Sequence, residues 1–222
     1  MILWVVLFVL VIAISFVLAA QSMRDYSEIP EKGRDYGLFL IRNTQGLTEQ
    51  VLSSIRSELS ESKAIISFER LFKGKKSALV VFGPRQLVLN HKTSLDVLEL
   101  EDYTSVDITH ISAWEVGVKK DTEVSEKVFS NFPQLFEHEQ FWWQVILSSP
   151  FKPQITGVLV TSDPNRKHTL TQSLQHMSPQ LHKLPKAFSN PQLLEFYEKR
   201  AARKDNRGHH LKEQEILRLV LI

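Results

Sequence analysis

The chain has 222 residues and a formal net charge of +2, which is too small to indicate a polyanionic partner by itself. It contains no cysteine, which excludes thiolate metal sites and cysteine nucleophiles. Roughly 200 residues follow the first apolar segment, enough for one large hydrophobic core or two small ones.

The first segment is a run of apolar residues. From 2 to 20 the only polar residue is Ser15. A bilayer core of about 30 Å needs about 20 apolar residues in a helix. A cleaved signal peptide is the alternative, but no Lys or Arg precedes the run, and the run is longer than a typical signal core of about 7–15 residues. The sequence therefore predicts a transmembrane helix over 1–20.

Positive charges near the ends of this helix predict its orientation. Arg24, Lys32 and Arg34 follow the apolar run, and no Lys or Arg precedes it. Because cytoplasmic flanks are enriched in Lys and Arg, we expect a single-pass protein of the cell (inner) membrane. Its N-terminus would lie outside and its soluble domain in the cytoplasm.

A polar segment over 21–35, with Pro30 and Gly33, reads as a juxtamembrane linker. Beyond it, apolar runs predict strands at 36–41, 64–72, 78–82 and 97–100. Apolar residues at helical spacing predict an amphipathic helix between the first two strands. This order is close to a split βαβ, or ferredoxin-like, unit over 36–105.

A second unit is predicted over 106–188. Its expected strands lie at 113–118, 141–147 and 154–161, with a helix over 122–137 that Pro133 divides and another that begins after Asp163. The fold class is thus α+β: a transmembrane helix followed by one or two ferredoxin-like antiparallel sheet units with helices on one face.

The remaining residues, 189–222, are predicted to form a helical basic tail. A helix begins at Ser189 or Asn190, a basic stretch follows over 199–212, and a last short helix ends on the apolar residues 219–222. An apolar end of this kind must pack against something.

Five segments in this order resemble a known family. They are LEDYT at 100–104, TEVSEKVFSNFPQLFEHEQ at 122–140, FWWQVILSSP at 141–150, ITGVLVTSDPNRKHTLTQSLQHM at 155–177 and HHLKEQEILRL at 209–219. The chain is similar to the N-terminal, non-motor domain of membrane-associated conjugation and type IV secretion ATPases. In that family such a domain precedes the motor, and the motor is not in this sequence. The resemblance implies either a free-standing relative of the adaptor domain, with energy supplied by a separate ATPase, or a fragment of a longer chain.

Other candidates for chemistry are weak. Lys73-Gly74-Lys75-Lys76 is phosphate-like only in composition, and a solvated hairpin turn explains it better. The histidines lack metal-ligand spacing, and the acidic residues Glu99, Glu101 and Asp102 fit a solvated strand end better than a cation site. We therefore predict no catalytic residues, no metal and no cofactor.

Two surface features remain as predicted contact sites. Trp142 and Trp143 are adjacent in a strand, so they point to opposite faces, and one could reach a protein partner unless both faces are covered. The basic tail could contact anionic lipid or nucleic acid, unless it is simply a solvated helix face. Its cations are Lys199, Arg200, Arg203, Lys204, Arg207 and Lys212.

The predicted function is a membrane-anchored, non-catalytic adaptor or structural subunit of a membrane complex. One alternative is a membrane-tethered lipid-binding module of the pleckstrin-homology type, which would be a seven-stranded barrel capped by one helix. The other alternative is an enzyme of unknown class, which would need a concave site with converging polar groups.

Overall fold

The computed structural model describes residues 11–12, 14–15, 35–62, 64–104, 111–119, 122–148, 153–185, 188–202 and 210–222. The transmembrane helix predicted over 1–20 and the linker predicted over 21–35 lie outside the described residues, except for the few named here. The boundary between the two predicted units, at 105–106, is outside them as well. Among the described residues, no helix combines the length and the apolar character needed to cross a membrane.

The described chain contains both strands and helices. The strands are β1 (Tyr36–Ile41), β2 (Ile65–Lys73), β3 (Lys76–Pro84), β4 (Val97–Leu100), β5 (Ile111–Val118), β6 (Gln140–Ser148), β7 (Gln154–Val160) and β8 (Leu181–Lys183). The helices are α1 (Glu49–Ser62), α2 (Arg85–Asn90), α3 (Lys92–Leu95), α4 (Pro164–Gln175), α5 (Asn190–Glu198) and α6 (Glu213–Val220). Short 3-10 turns occur at Thr44–Gly46 and Val128–Asn131.

All eight strands belong to one antiparallel sheet, in the order β4-β1-β3-β2-β6-β7-β5-β8. From the outer edge inward, the first half runs fourth, first, third, second strand. The second half has the equivalent order from its own outer edge: β8, β5, β7 and β6, which are its fourth, first, third and second strands. The two halves meet where β2 pairs with β6, with Glu69 opposite Gln144 and Arg70 opposite Trp143. We call this pairing the seam. The predicted α+β class and antiparallel sheet are confirmed.

The first face of the sheet carries the larger hydrophobic core. Side chains alternate along a strand, so Phe68 of β2 and Trp143 of β6 both point to this face. Helices α1, α4 and α6 cover it with apolar residues at helical spacing. These are Leu52, Ile55 and Leu59 of α1, Leu170 and Leu174 of α4, and Ile216, Leu219 and Val220 of α6.

Helix α6 packs across the seam. Its last carbonyl groups would lack partners within the helix, and the seam supplies them. Trp143 Nε1 donates to the Leu219 oxygen at 2.9 Å, and Arg70 Nε donates to the Val220 oxygen at 3.0 Å. The guanidinium of Arg70 also suits the negative end of the helix dipole. The apolar end of the chain therefore packs inside the protein, as expected.

The predicted helix over 122–137 is wrong. Only Val128–Asn131 forms a 3-10 turn, and the flanking residues have no helical structure. The backbone of Val124 bonds to α6 instead, since its amide donates to Glu215 Oε1 and its oxygen accepts from Arg218. The regularly spaced aromatic residues pack on β2 and β6 as individual rings. Phe132, for example, stacks on Phe72 with the ring centres 4.0 Å apart.

The sequence predicted helices on one face of the sheet, but helices lie on both faces. Helix α5 packs on the second face, where Leu193, Leu194 and Tyr197 cover Trp142 and Val158. Strands near the seam carry apolar side chains on both faces of the sheet. Both faces must therefore be buried under other elements. The sheet is also open, with β4 and β8 at its edges, unlike the single-helix barrel that the pleckstrin-homology alternative requires.

The packing of α6 predicts a large loss of stability on truncation of Leu219, which is fully buried. Leu219→Ala should lower the free energy of unfolding by about 2–5 kcal/mol, because it leaves a cavity above Trp143. Urea denaturation followed by tryptophan fluorescence measures the change. Ile222→Ala is the matched control, since its side chain is 54% exposed, and it should shift stability by less than about 0.5 kcal/mol. Equal effects of the two variants would contradict the packing of α6.

Candidate functional site

Glu69 lies in the middle of β2, on the second face, and its side chain is 0% exposed. A buried carboxylate is costly unless it is paired and hydrogen-bonded. Its Oε1 accepts hydrogen bonds from Ser67 Oγ at 2.9 Å, Gln144 Nε2 at 3.1 Å and Arg200 Nε at 3.1 Å. Its Oε2 accepts one from the Tyr103 hydroxyl at 2.5 Å. We call this group the buried ion network: Ser67, Glu69, Asp102, Tyr103, Gln144, Tyr197 and Arg200.

Arg200 supplies the positive charge of the network from the end of α5. Besides Glu69, it donates from Nη1 to Asp102 Oδ2 at 2.7 Å and to the Glu198 oxygen at 3.0 Å. The guanidinium also lies 4.6 Å from the centre of the Phe82 ring. Arg200 thereby connects the end of α5, the residues after β4 and the middle of β2.

The backbone of Arg200 has φ 49°, in the left-handed region that favours glycine. The helix ends there in a Schellman arrangement: the Arg200 amide donates to the Tyr197 oxygen, and the Ala201 amide donates to the Phe196 oxygen. A residue with a Cβ pays about 1–2 kcal/mol for this conformation. At this position the side chain reaches two carboxylates, which offsets that cost.

The two tyrosines extend the network under α5. Their hydroxyl oxygens are 2.7 Å apart, and the Trp142 ring packs against both side chains. Burial, together with the charge of Glu69, raises the pKa of both Tyr103 and Tyr197 well above the ordinary value. Both therefore stay protonated, and Tyr103 acts as a hydrogen-bond donor to Glu69.

The charges of Asp102 and Arg200 stabilise each other. Burial alone would raise the pKa of Asp102, but the hydrogen bond and charge of Arg200 outweigh it and lower that pKa. Burial would likewise lower the pKa of Arg200, but Glu69 and Asp102 outweigh it and raise that pKa. At neutral pH Asp102 and Arg200 are thus both charged and paired. Such an arrangement holds chain segments together.

A second buried carboxylate, Glu139, precedes β6. Arg166 of α4 binds it with two hydrogen bonds, of 3.0 and 2.8 Å, and the Phe136 amide donates to it at 2.7 Å. The hydrogen bond from Arg166 is the largest influence on Glu139 and lowers its pKa. Asp163 caps the same helix through the amides of Asn165 and Arg166, which confirms the predicted helix start. This pair fixes α4 to the segment before β6.

Both predicted interface tryptophans are buried inside the protein. Trp142 points to the second face under α5, and Trp143 points to the first face under α6. The strand pattern predicted that the two side chains point to opposite faces of the sheet. Helices of the same chain cover both of them. Neither tryptophan therefore offers a surface to a partner in this structure.

The basic tail is divided by the structure. Arg200, which was predicted to contact anionic lipid or nucleic acid, is only 3% exposed, and two carboxylates pair with its charge, so it is not part of an exposed basic surface in this structure. Lys199 pairs with Glu195 at 2.6 Å, and Lys212 is exposed, 3.9 Å from Glu123. The other predicted contact residues, Arg203, Lys204 and Arg207, lie outside the described residues.

Two acidic residues at the end of β4 are held by arginines, Glu99 within the strand and Asp102 just after it. Glu99 pairs with Arg85, and Asp102 pairs with Arg200. In the described part of the chain, no group of three or more His, Asp or Glu side chains is placed to hold a metal ion.

Sequence reasoning missed the network, although β2 contained a signal for it. Glu69 interrupts a strand that is mostly apolar and buried, and a charge at such a position needs a partner. The partner, Arg200, is far away in sequence, within a stretch that looks like a solvated basic helix face. Only the tertiary structure brings the two together.

No protein-family model, curated protein or solved structure matches this chain. The resemblance to the non-motor domain of conjugation and type IV secretion ATPases therefore stays a prediction.

The network predicts that Arg200→Met is strongly destabilising, because Glu69 would keep a buried charge without its cationic partner. The expected loss in free energy of unfolding is about 3–5 kcal/mol, measured by urea denaturation at neutral pH. The double variant E69Q/R200M should recover much of this loss, since it removes both charges and keeps the same backbone strain. Lys199→Met is the control and should cost under about 1 kcal/mol, because its ion pair is exposed. A double variant no more stable than R200M would contradict the pairing.

The lowered pKa of Glu139 predicts a loss of stability in acid. Its pKa in the folded protein lies below the ordinary value of 4.5, so its contribution is present above that pH and is lost as the pH falls through the folded pKa. The urea midpoint of E139Q should depend less steeply on pH below about 4.5 than that of the wild type. Glu137→Gln removes an exposed carboxylate and should leave the wild-type slope intact. A slope in E139Q as steep as in the wild type would refute the assignment.

Proposed function

We propose that this chain is a membrane-anchored, non-catalytic adaptor or structural subunit of a membrane complex, of the conjugation or type IV secretion type. The observation that carries this proposal is the seam. A buried ion network and helix α6 join two halves into one sheet. Such a sheet is a rigid body that can present surfaces at fixed positions.

We further infer that the two halves are ferredoxin-like units placed edge to edge. Each half has the strand order of a split βαβ unit, and α1 and α4 make crossovers on the same face. The second half departs from the pattern, because the described part of the connection between β5 and β6 contains a 3-10 turn where a helix would be expected. Helix α6 packs beside that turn and covers the neighbouring part of the first face.

The state of the polar groups supports a non-catalytic role. A general base or nucleophile needs a free lone pair and a substrate within reach. Both oxygens of Glu69 already accept hydrogen bonds, Tyr103 and Tyr197 are held protonated, and Arg166 occupies both oxygens of Glu139. These groups serve each other and stabilise the fold.

The apolar start of the chain supports the anchor. Val11, Ile12 and Ile14 are in helical conformation and are 52%, 52% and 51% exposed, so the sheet does not bury them. Exposed branched apolar side chains in a helix are favourable in a lipid environment. Because cytoplasmic flanks are enriched in Lys and Arg, the positive charges after the run favour a domain on the cytoplasmic side of the inner membrane.

The anchor can be tested on the full chain with a reporter after Ile222. We expect the protein in the membrane fraction after carbonate extraction, with a reporter that is active in the cytoplasm. V11K/I12K should move the protein out of the membrane fraction, because charges in the middle of a span cost about 2.5–3.5 kcal/mol each. V11L/I12L is the matched control and should stay in the membrane. A wild-type chain extracted by carbonate would overturn the anchor.

The adaptor role has a separate test. Cross-linking in the source cells, followed by purification through a tag after Ile222, should yield a complex containing a separate ATPase. R200M, which disrupts the seam, should lose that complex while staying in the membrane. A wild-type chain that migrates alone after cross-linking would remove the adaptor proposal.

A further inference from the structure

The linker enters the sheet at one end. Asp35 is held there by Arg85, whose amide donates to the Asp35 oxygen and whose Nε donates to its carboxylate, both at 2.8 Å. Tyr36 follows, and its hydroxyl accepts from the amide of Ile65, the first residue of β2. From there β2 runs for 9 residues to Lys73. At about 3.3 Å per residue along the strand, Lys73 lies about 26 Å from the point where the linker enters.

At this opposite end, two loops form a common surface, the far tip, made of Lys73, Lys75, Lys76, Phe136 and His138. The hairpin between β2 and β3 turns at Gly74, whose φ of 56° is available to glycine at little cost. The Gly74 amide donates to the Glu139 oxygen at 3.3 Å, and a Cβ at Gly74 would lie 3.1 Å from the Glu137 Cα. The hairpin is therefore packed directly against the segment before β6.

The charge of the far tip is positive. Lys73, Lys75 and Lys76 are exposed, and none forms an ion pair with a residue that the structure describes. Glu137 beside them is exposed and offsets one charge, whereas the charge of Glu139 is already neutralised by Arg166. The tip thus carries an excess of cations on a turn whose backbone is fixed.

An aromatic ring lies beside these cations. Phe136 is 50% exposed, and the guanidinium of Arg166 lies 4.2 Å from the centre of its ring. The Phe136 amide is bonded to Glu139, so the residue is held from both backbone and ring. A large apolar side chain that is exposed and already ordered loses little entropy when a partner covers it.

We propose that the far tip is the docking surface for an acidic protein partner. A segment of that partner would place Asp or Glu side chains against Lys73, Lys75 and Lys76, and an apolar side chain against Phe136. Aromatic residues and Arg are enriched in the centres of protein interfaces, and charges around them steer association. Single-stranded nucleic acid fits less well, because Arg166 occupies a ring face that a base would need for stacking. This inference rests on the adaptor proposal and names the surface and the charge of its partner.

The test uses the full chain in nanodiscs of neutral lipid, so that the membrane contributes no charge. The probes are a fluorescent peptide of Glu and Leu residues, an all-Glu peptide of equal length, and a labelled single-stranded DNA. Fluorescence anisotropy measures their binding. Incorporation of the chain into nanodiscs is scored first, which separates failure of the anchor from failure of the docking surface.

We expect the Glu/Leu peptide to bind more tightly than the other two probes. K75E/K76E should weaken its binding roughly tenfold or more, as expected for loss of central interface contacts. Phe136→Ser should weaken the Glu/Leu peptide and leave the all-Glu peptide unchanged. The matched control K119E/K183E makes the same charge change at exposed positions on other parts of the sheet, and it should bind like the wild type. Thermal unfolding of each variant checks that the fold is intact.

Three outcomes would overturn the inference. The first is an inserted wild-type chain that binds neither peptide. The second is an equal loss in K119E/K183E, which would mean that only the overall charge matters. The third is DNA binding that exceeds peptide binding and is lost in K75E/K76E, which would make the far tip a nucleic-acid surface.

Discussion

The ion pair between Glu69 and Arg200 is the interaction on which the rest of this structure depends. It lies at the seam, where two four-stranded halves become one sheet of eight strands. A carboxylate in the middle of a buried strand is tolerated only with a cation and several hydrogen bonds around it. That requirement fixes the end of α5, the residues after β4 and Gln144 of the second half relative to β2. The charge therefore specifies the arrangement of the fold more than it adds stability.

The two faces of the seam are covered by residues from the same end of the chain. Helix α5 and Arg200 cover the second face, and α6 covers the first face, where Arg70 and Trp143 bond its last carbonyl groups. The described residues 190–202 and 210–222 therefore contribute to the core of the fold. The interpretation of the basic tail changes accordingly. Arg200, an arginine of the tail that the structure describes, is buried and has a structural role.

Function, in our proposal, follows from rigidity and position. One end of the sheet receives the linker at Asp35 and Tyr36, and the other end presents the far tip. A sheet whose two halves are joined at the seam can hold a partner at a fixed distance from the membrane. Two separate units on a flexible connection could not.

The sequence by itself determined the local structure. Strands β2, β3, β4, β6 and β7, helix α1, the Asp163 cap and the need to bury the apolar end were all predictable, because periodicity, turn residues and capping act over a few neighbouring residues. The helix over 122–137 was wrong for the converse reason. Its aromatic spacing suited a helix, but the amide of Val124 donates a hydrogen bond to Glu215, which lies in a segment distant in sequence.

Only the tertiary structure decided which segments meet. The pairing of β2 with β6, the cover on both faces and the partnership of Glu69 with Arg200 join residues far apart in the chain, and no local pattern records such pairs. Arg200 shows this most clearly: its neighbours in sequence make it look like one more solvated cation. Its burial follows from contacts with Glu69 and Asp102 that exist only once the sheet has formed.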